Sequence, residues 1–114
     1  MKNIRFEKLL EPYQIGSVKT RNRMVKSSAA TWYWGVGENQ VTDKVKYFYE
    51  ALARGGLGLI IMDNPSMDGA KRSIAGGFYL NDDIYIKGLI GLTQLIHKYD
   101  CPVFIQLGYG SNWQ

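Results

Sequence analysis

Apolar residues along the chain come in short blocks whose spacing alternates between helical and extended periods. From Thr42 onward, Val45, Phe48, Tyr49 and Leu52 recur at helical spacing. Thr42 is a good N-cap and Asp43 suits the positive end of the helix dipole. Gly55-Gly56 should stop that helix. The run Leu57 to Met62 (LGLIIM) is continuously apolar and bounded by Gly-Gly and Asn64-Pro65, the pattern of a strand buried on both faces. A second helix is expected from about Asp83 to Tyr99, capped by Asn81 or Asp82, with Ile86, Leu89, Ile90 and Ile96 among its apolar positions. Gly88 and Gly91 within it each cost about 1 kcal/mol relative to alanine, which implies close packing on a sheet. Asp100-Cys101-Pro102 breaks the helix, and Val103 to Leu107 (VFIQL) forms a further apolar strand.

Upstream, Met1 to Leu10 is amphipathic, with Phe6, Leu9 and Leu10 available to pack on a later element. Tyr13 to Arg21 reads as two short extended arms around a Gly16-Ser17 turn. Met24 to Ser28 is the first strand of the main pattern, although Lys26 is unusual in a central parallel strand. Trp32 to Gly37 (WYWGVG) is an aromatic, glycine-containing loop suited to plugging a pocket mouth or capping a core. A long polar connection from Asp63 to Leu80 carries Gly69, Gly76 and Gly77. The order is hairpin, strand, helix, strand, helix, strand, which implies an α/β fold with parallel strands and right-handed crossovers.

In such folds ligands lie beyond the carboxyl ends of the strands. Here those ends are Ser28 to Thr31, Asp63 to Pro65 and Gln106 to Gly110, all small, polar or backbone-exposing. Ser27, Ser28, Ala29, Ala30 and Thr31 would let a flat ligand approach the backbone closely. They would equally suit a strand end tucked under a neighbouring loop.

Composition narrows the function classes. With 46% hydrophobic and 21% charged residues, the 114-residue chain has the make-up of one globular domain at most. No apolar run approaches the roughly 20 residues of a membrane span. Arg5, Glu7 and Lys8 interrupt any signal-peptide core, so a cytoplasmic address is expected. The net charge of +4 is spread out, with no basic run longer than Lys71-Arg72, which argues against nucleic-acid binding. A single cysteine, Cys101, forms no internal disulfide or zinc cluster. Gly35-x-Gly37 and Gly55-Gly56-x-Gly58 do not sit between a strand and a helix as phosphate loops do. His97, the only histidine, falls on the second expected helix, away from the strand ends.

Leu9, Glu11, Pro12, Ile15 and Gly16, followed by Asn22, Arg23, Met24 and Val25, resemble the opening of the old yellow enzyme family. Arg54 to Ile61 (RGGLGLII) is similar to that family's approach to its second strand, and Gln106-Leu107 to its third. The resemblance spans nearly the whole chain and includes relatives of the 2,4-dienoyl-CoA reductase type. It implies the N-terminal part of an eight-stranded (β/α) barrel that binds FMN and takes electrons from NADH or NADPH. By the same resemblance, Gln106 would meet the flavin's pyrimidine edge, with an amide that both donates and accepts. Asn64 would bring its backbone amide to the ring oxygen beside the reactive nitrogen. Ser28, Ala29 and Ala30 would line the ring, and Ala30 or Thr31 would tune its electronics. The family departures are Ser28 in place of a common proline, Ala29 in place of a larger residue, and no Gly-Arg after Gln106.

The implied reaction is reduction of an activated carbon–carbon double bond in a small molecule, by hydride transfer through the flavin. A complete barrel needs about 250 residues, so this chain is expected to supply three of eight strands and to be inactive by itself. Two alternatives accompany that reading. One is a non-catalytic remnant or interaction module that associates through its open sheet edge; the other is a small flavodoxin-like binding domain.

Overall fold

A computed structural model describes residues 6–37, 40–67 and 78–107. Gly69, Gly76, Gly77 and the segment after Leu107 that departs from the family pattern lie outside the described residues. Helix α1 is the single turn Glu7–Leu10, followed by strands β1 (Tyr13–Ile15), β2 (Val18–Thr20) and β3 (Val25–Lys26). Then come α2 (Asp43–Arg54), β4 (Leu59–Met62), a 3₁₀ turn (Asp83–Tyr85), α3 (Ile86–His97) and β5 (Val103–Ile105).

The hairpin forms as expected: Tyr13 pairs with Thr20 and Ile15 with Val18, across a turn in which Gly16 takes φ +58°. The main sheet is parallel, in the order β3-β4-β5, with Val25 opposite Leu59 and Ile60 opposite Val103. Neighbours in space are thus neighbours in sequence. The buried cluster joins Val45, Tyr49 and Ala53 of α2, Ile60 and Met62 of β4, and Leu92 and Ile96 of α3, so both helices cover one face. A doubly wound sheet would put helices on both faces. This singly wound order is that of a (β/α) barrel, and it excludes the flavodoxin-like alternative. The chain forms part of such a barrel, three parallel strands and two covering helices.

Arg21 and several residues that carry the family resemblance, Asn22, Arg23 and Gly58, close this unit. Arg21 donates from Nη2 to the Ala53 carbonyl in the last turn of α2 (2.8 Å) and from Nε to the Leu57 carbonyl in the turn that follows (3.2 Å). Asn22 donates from Nδ2 to the Gly56 carbonyl (2.7 Å), and its Oδ1 accepts from the Met24 amide (3.0 Å). A Cβ on Gly58 would come within 2.3 Å of the Asn22 carbonyl oxygen, so only glycine lets β4 run this close to β3. Arg23 lies over the Tyr13 ring at 4.8 Å and bridges Glu11 at 3.3 Å.

Several boundaries differ from expectation. β3 pairs over two residues, because the chain beyond Lys26 turns away to meet the end of β4. The second helix opens as a 3₁₀ turn, with the Ile84 amide donating to the Asp82 side chain (3.0 Å), and its α-helical part ends at His97. Gly88 packs on Val41 in the segment before α2, where a Cβ would sit 3.1 Å from Cγ2; Gly91 faces open space. Neither glycine is explained by contact with the sheet. Phe6, Leu9 and Leu10 are exposed, so α1 does not pack as its amphipathic pattern suggested.

Candidate functional site

The carboxyl ends of β3, β4 and β5 share one rim because the three strands are parallel and adjacent. At the end of β3, Ser28 is half-buried and Ala29 and Ala30 are exposed. Gln106, just past β5, is also exposed. Asn64 is half-buried, and its Oδ1 is enclosed without a hydrogen-bond partner. Such an atom forfeits its hydration without replacement, so it marks a place where a donor is missing. The rim therefore combines small residues at one strand end with side-chain amides at the other two.

Beneath this rim lies Asp63, whose sequence position marks it as part of a ligand-facing strand end but gives it no role of its own. Its side chain is fully buried. Oδ2 accepts from the Thr31 amide (2.9 Å), the Thr31 hydroxyl (2.9 Å) and the Trp34 indole Nε1–H (2.8 Å). Oδ1 accepts from the Tyr49 hydroxyl (2.5 Å), whose oxygen in turn accepts from the Asp63 amide (3.3 Å). Lys26 Nζ stands 4.0 Å from Oδ1 and supplies the compensating charge. It also approaches the Phe48 and Tyr49 rings at 5.9 and 5.6 Å and donates to the Ser27 carbonyl (2.9 Å). Burial lowers the Lys26 pKa, and the Asp63 charge partly restores it. Burial and the bond to Asp63 push the Tyr49 pKa far above the ordinary tyrosine range. The signal for this cluster was available: an acid directly after LIIM and a base inside the β3 run are complementary charges in otherwise apolar strands.

Thr31 is half-buried and turned toward Asp63, so its amide and its hydroxyl hydrogen are both engaged there. What it retains for a ligand is the hydroxyl's acceptor capacity. Between the two Asp63 contacts, Trp32 adopts φ +60° with its side chain 68% exposed. Left-handed geometry is uncommon for a bulky residue, and the flanking bonds hold it in place. The aromatic loop does cap the core: Trp34 stacks on Phe78 at 4.1 Å between centroids. Phe78 arrives there because Gln40 makes paired bonds with the Tyr79 backbone (2.8 and 3.0 Å).

A family model for the NADH:flavin oxidoreductase / NADH oxidase family matches residues 8–112. The chain belongs to this family. It is 33% identical over 107 residues to an NADH oxidase of Thermoanaerobacter brockii, covering 93% of this chain and 16% of that protein. It is 34% identical over 99 residues to a metal reductase of Desulforamulus reducens, covering 87% of this chain and 14% of that protein. The old yellow enzyme of Trypanosoma cruzi superposes with a TM-score of 0.76 at 22% identity, over 90% of this chain and 27% of that structure. The chain thus spans a small part of the length of these relatives.

The rim fits the FMN for which this NADH:flavin oxidoreductase family is described. It offers exposed small residues for a flat ring, an exposed amide at Gln106 and an unmet acceptor at Asn64. His97 and Cys101 lie at the opposite, amino-terminal end of β5. Among the described residues no group of acidic, histidine or cysteine side chains could hold a metal, and no helix is long and apolar enough to cross a membrane.

Proposed function

We propose that this chain contributes the first strands of an FMN site in an NAD(P)H-dependent oxidoreductase that reduces an activated carbon–carbon double bond. The observation that carries the reading is the shared rim, where small and amide-bearing strand ends meet on one side of a parallel sheet in a chain of this family. When bound, FMN supplies hydride acceptance from the nicotinamide and hydride donation to the substrate. Gln106 offers its amide to the polar edge of the ring, and Ala29 and Ala30 leave room for its face. Ser28 borders the same shelf. Asn64 contributes its backbone amide and an unsatisfied side-chain oxygen. Thr31 presents an oxygen whose hydrogen is already donated to Asp63.

Titration of the chain with FMN, read by quenching of flavin fluorescence, tests this. Saturable binding that Gln106→Ala weakens about tenfold is the expected result, corresponding to one side-chain hydrogen-bond set of about 1.4 kcal/mol. Binding unaffected by Gln106→Ala would refute the role given to that residue, and no binding would refute flavin capture by this chain alone. A second reading is favoured by the exposed edge and face of the sheet, where Val25 is 47% exposed. On that reading the chain is an interaction module that self-associates through β3 or β5. Sedimentation showing a concentration-dependent dimer without FMN uptake would favour it.

A further inference from the structure

We propose that Asp63 is the positioning residue of the rim, fixing through Thr31 and Trp34 the loop that presents Trp32. The geometry is specific. One carboxylate oxygen receives donors from both sides of Trp32, the amide and hydroxyl of Thr31 before it and the indole of Trp34 after it. The loop is thereby pinned at two points with only Trp32 and Tyr33 between them, and Trp32 takes the left-handed conformation.

The other carboxylate oxygen is anchored to α2 by Tyr49, and Lys26 of β3 sits 4.0 Å from it. Asp63 directly follows the end of β4 and is itself followed by Asn64 of the rim. A group fixed by strand, helix and charge on one side can impose a conformation on the loop at its other side. The ion also matters. A carboxylate accepts at every lone pair, whereas an asparagine in its place carries an amide group that can only donate. Three donors converging on one oxygen would then face either a single neutral acceptor or a competing donor. The loop position thus depends on the charge of Asp63 and not merely on its volume. This proposal deepens the reading of the rim as a ligand site but concerns residues of this chain alone.

The test is heteronuclear NMR of the full chain without ligand. In the parent protein the Trp32 amide should show the strong intraresidue contact to Hα that positive φ produces, and the Thr31 amide and Trp34 indole should resist exchange with solvent. D63N should abolish the Trp32 signature and both protections, while Ile60, Leu92 and Ile96 keep their native shifts. Y49F, which removes the bond to the other oxygen, should leave the Trp32 signature in place. A D63N chain that retains the signature and the protections overturns the proposal. If D63N fails to fold, Trp34→Phe and the double variant Thr31→Val/Trp34→Phe take its place, removing the indole donor and then the hydroxyl donor as well while leaving the carboxylate and the residue-31 amide. Persistence of left-handed Trp32 in both would likewise overturn it. FMN titration of the same samples separates the two claims. Absent FMN binding sinks the flavin reading and leaves the loop result standing. FMN affinity unchanged in a D63N chain whose loop has moved would deny the loop its part in the rim.

Discussion

Tyr49→Phe removes one hydroxyl of the buried cluster with little change in volume. The ring stays in its contacts with Trp34 and Phe48, whose centroids lie 6.2 and 5.2 Å away. What is lost is the 2.5 Å bond to Asp63 Oδ1 and, with it, the weaker 3.3 Å bond accepted from the Asp63 amide. Hydrogen bonds to charged groups contribute roughly 1.5–3 kcal/mol, so a loss of about 2 kcal/mol is expected at pH 7, or roughly 8 °C in the melting temperature. The pH dependence gives a sharper signature. Unfolded, Tyr49 releases its proton near the ordinary value of 10.0; folded, burial and Asp63 hold it on far beyond that. Above pH 10 the folded protein therefore binds one more proton than the unfolded chain. Its stability then falls by about 1.4 kcal/mol per pH unit from this group. Phenylalanine has no such proton, so the gap of about 2 kcal/mol between the two proteins should close after about 1.5 units, near pH 11.5. Lys26 acts with the opposite sign: its pKa is lowered on folding, so it favours folding progressively as pH rises toward 10.5. Both proteins contain it, and to first order it cancels. Urea unfolding followed by circular dichroism at pH 7, 10, 11 and 11.5 provides the comparison. A gap that stays constant across that range would refute the assignment of the proton to Tyr49 in the folded state.

Other substitutions probe the packing. Gly58→Ala places a methyl group against the Asn22 backbone and should destabilise by about 1–3 kcal/mol, seen as a lower urea midpoint. Gly91→Ala, in open space on α3, should stabilise by up to about 1 kcal/mol, whereas Gly88→Ala should gain less because its Cβ meets Val41; thermal melts of the pair give the order. The Cys101 thiol is buried and its pKa is raised chiefly by that burial. Its labelling by a thiol reagent should therefore follow unfolding, and rapid stoichiometric labelling of the native chain would contradict its placement.

The fold was legible where local pattern and packing agree. The helical spacing of Val45, Phe48, Tyr49 and Leu52, the Thr42 cap and the apolar block before Asp63 each specify an element that the tertiary core then uses. Thr42 Oγ1 accepts from the Val45 amide at 3.2 Å, as the sequence implied. Legibility failed where the deciding partner is remote. Phe78 looked like part of a polar connection because its stacking on Trp34 depends on Gln40, far away in the chain. Asp63 looked like a strand terminus because its donors come from the loop after β3 and from α2. A period can be read from one segment, but a converging set of hydrogen bonds can only be read from several. The small residues at the end of β3 were visible as a site; the carboxylate that holds the following turn was not.

The two faces of the sheet differ in how they can be stabilised. On the helix side, Ile60 and Met62 are fully buried by α2 and α3, and the Asp63 cluster closes the upper end of that layer. Strand alternation sends Val25 and Phe104 to the other face, where Val25 is 47% exposed. Among the described residues, the members of the Asp63 cluster come from one strand–helix–strand unit: Lys26, Thr31, Trp34, Tyr49 and Asp63. The hydrogen bonds that fix the rim loop after β3 are thus encoded within a contiguous stretch and need nothing on the exposed face to define them. A ligand rim organised this way can be set before the sheet's second face is covered. Substitutions at Val25 or Phe104 should accordingly alter association and overall stability while leaving the Trp32 conformation intact. Substitutions at Asp63 should do the reverse to the rim while leaving that face unchanged.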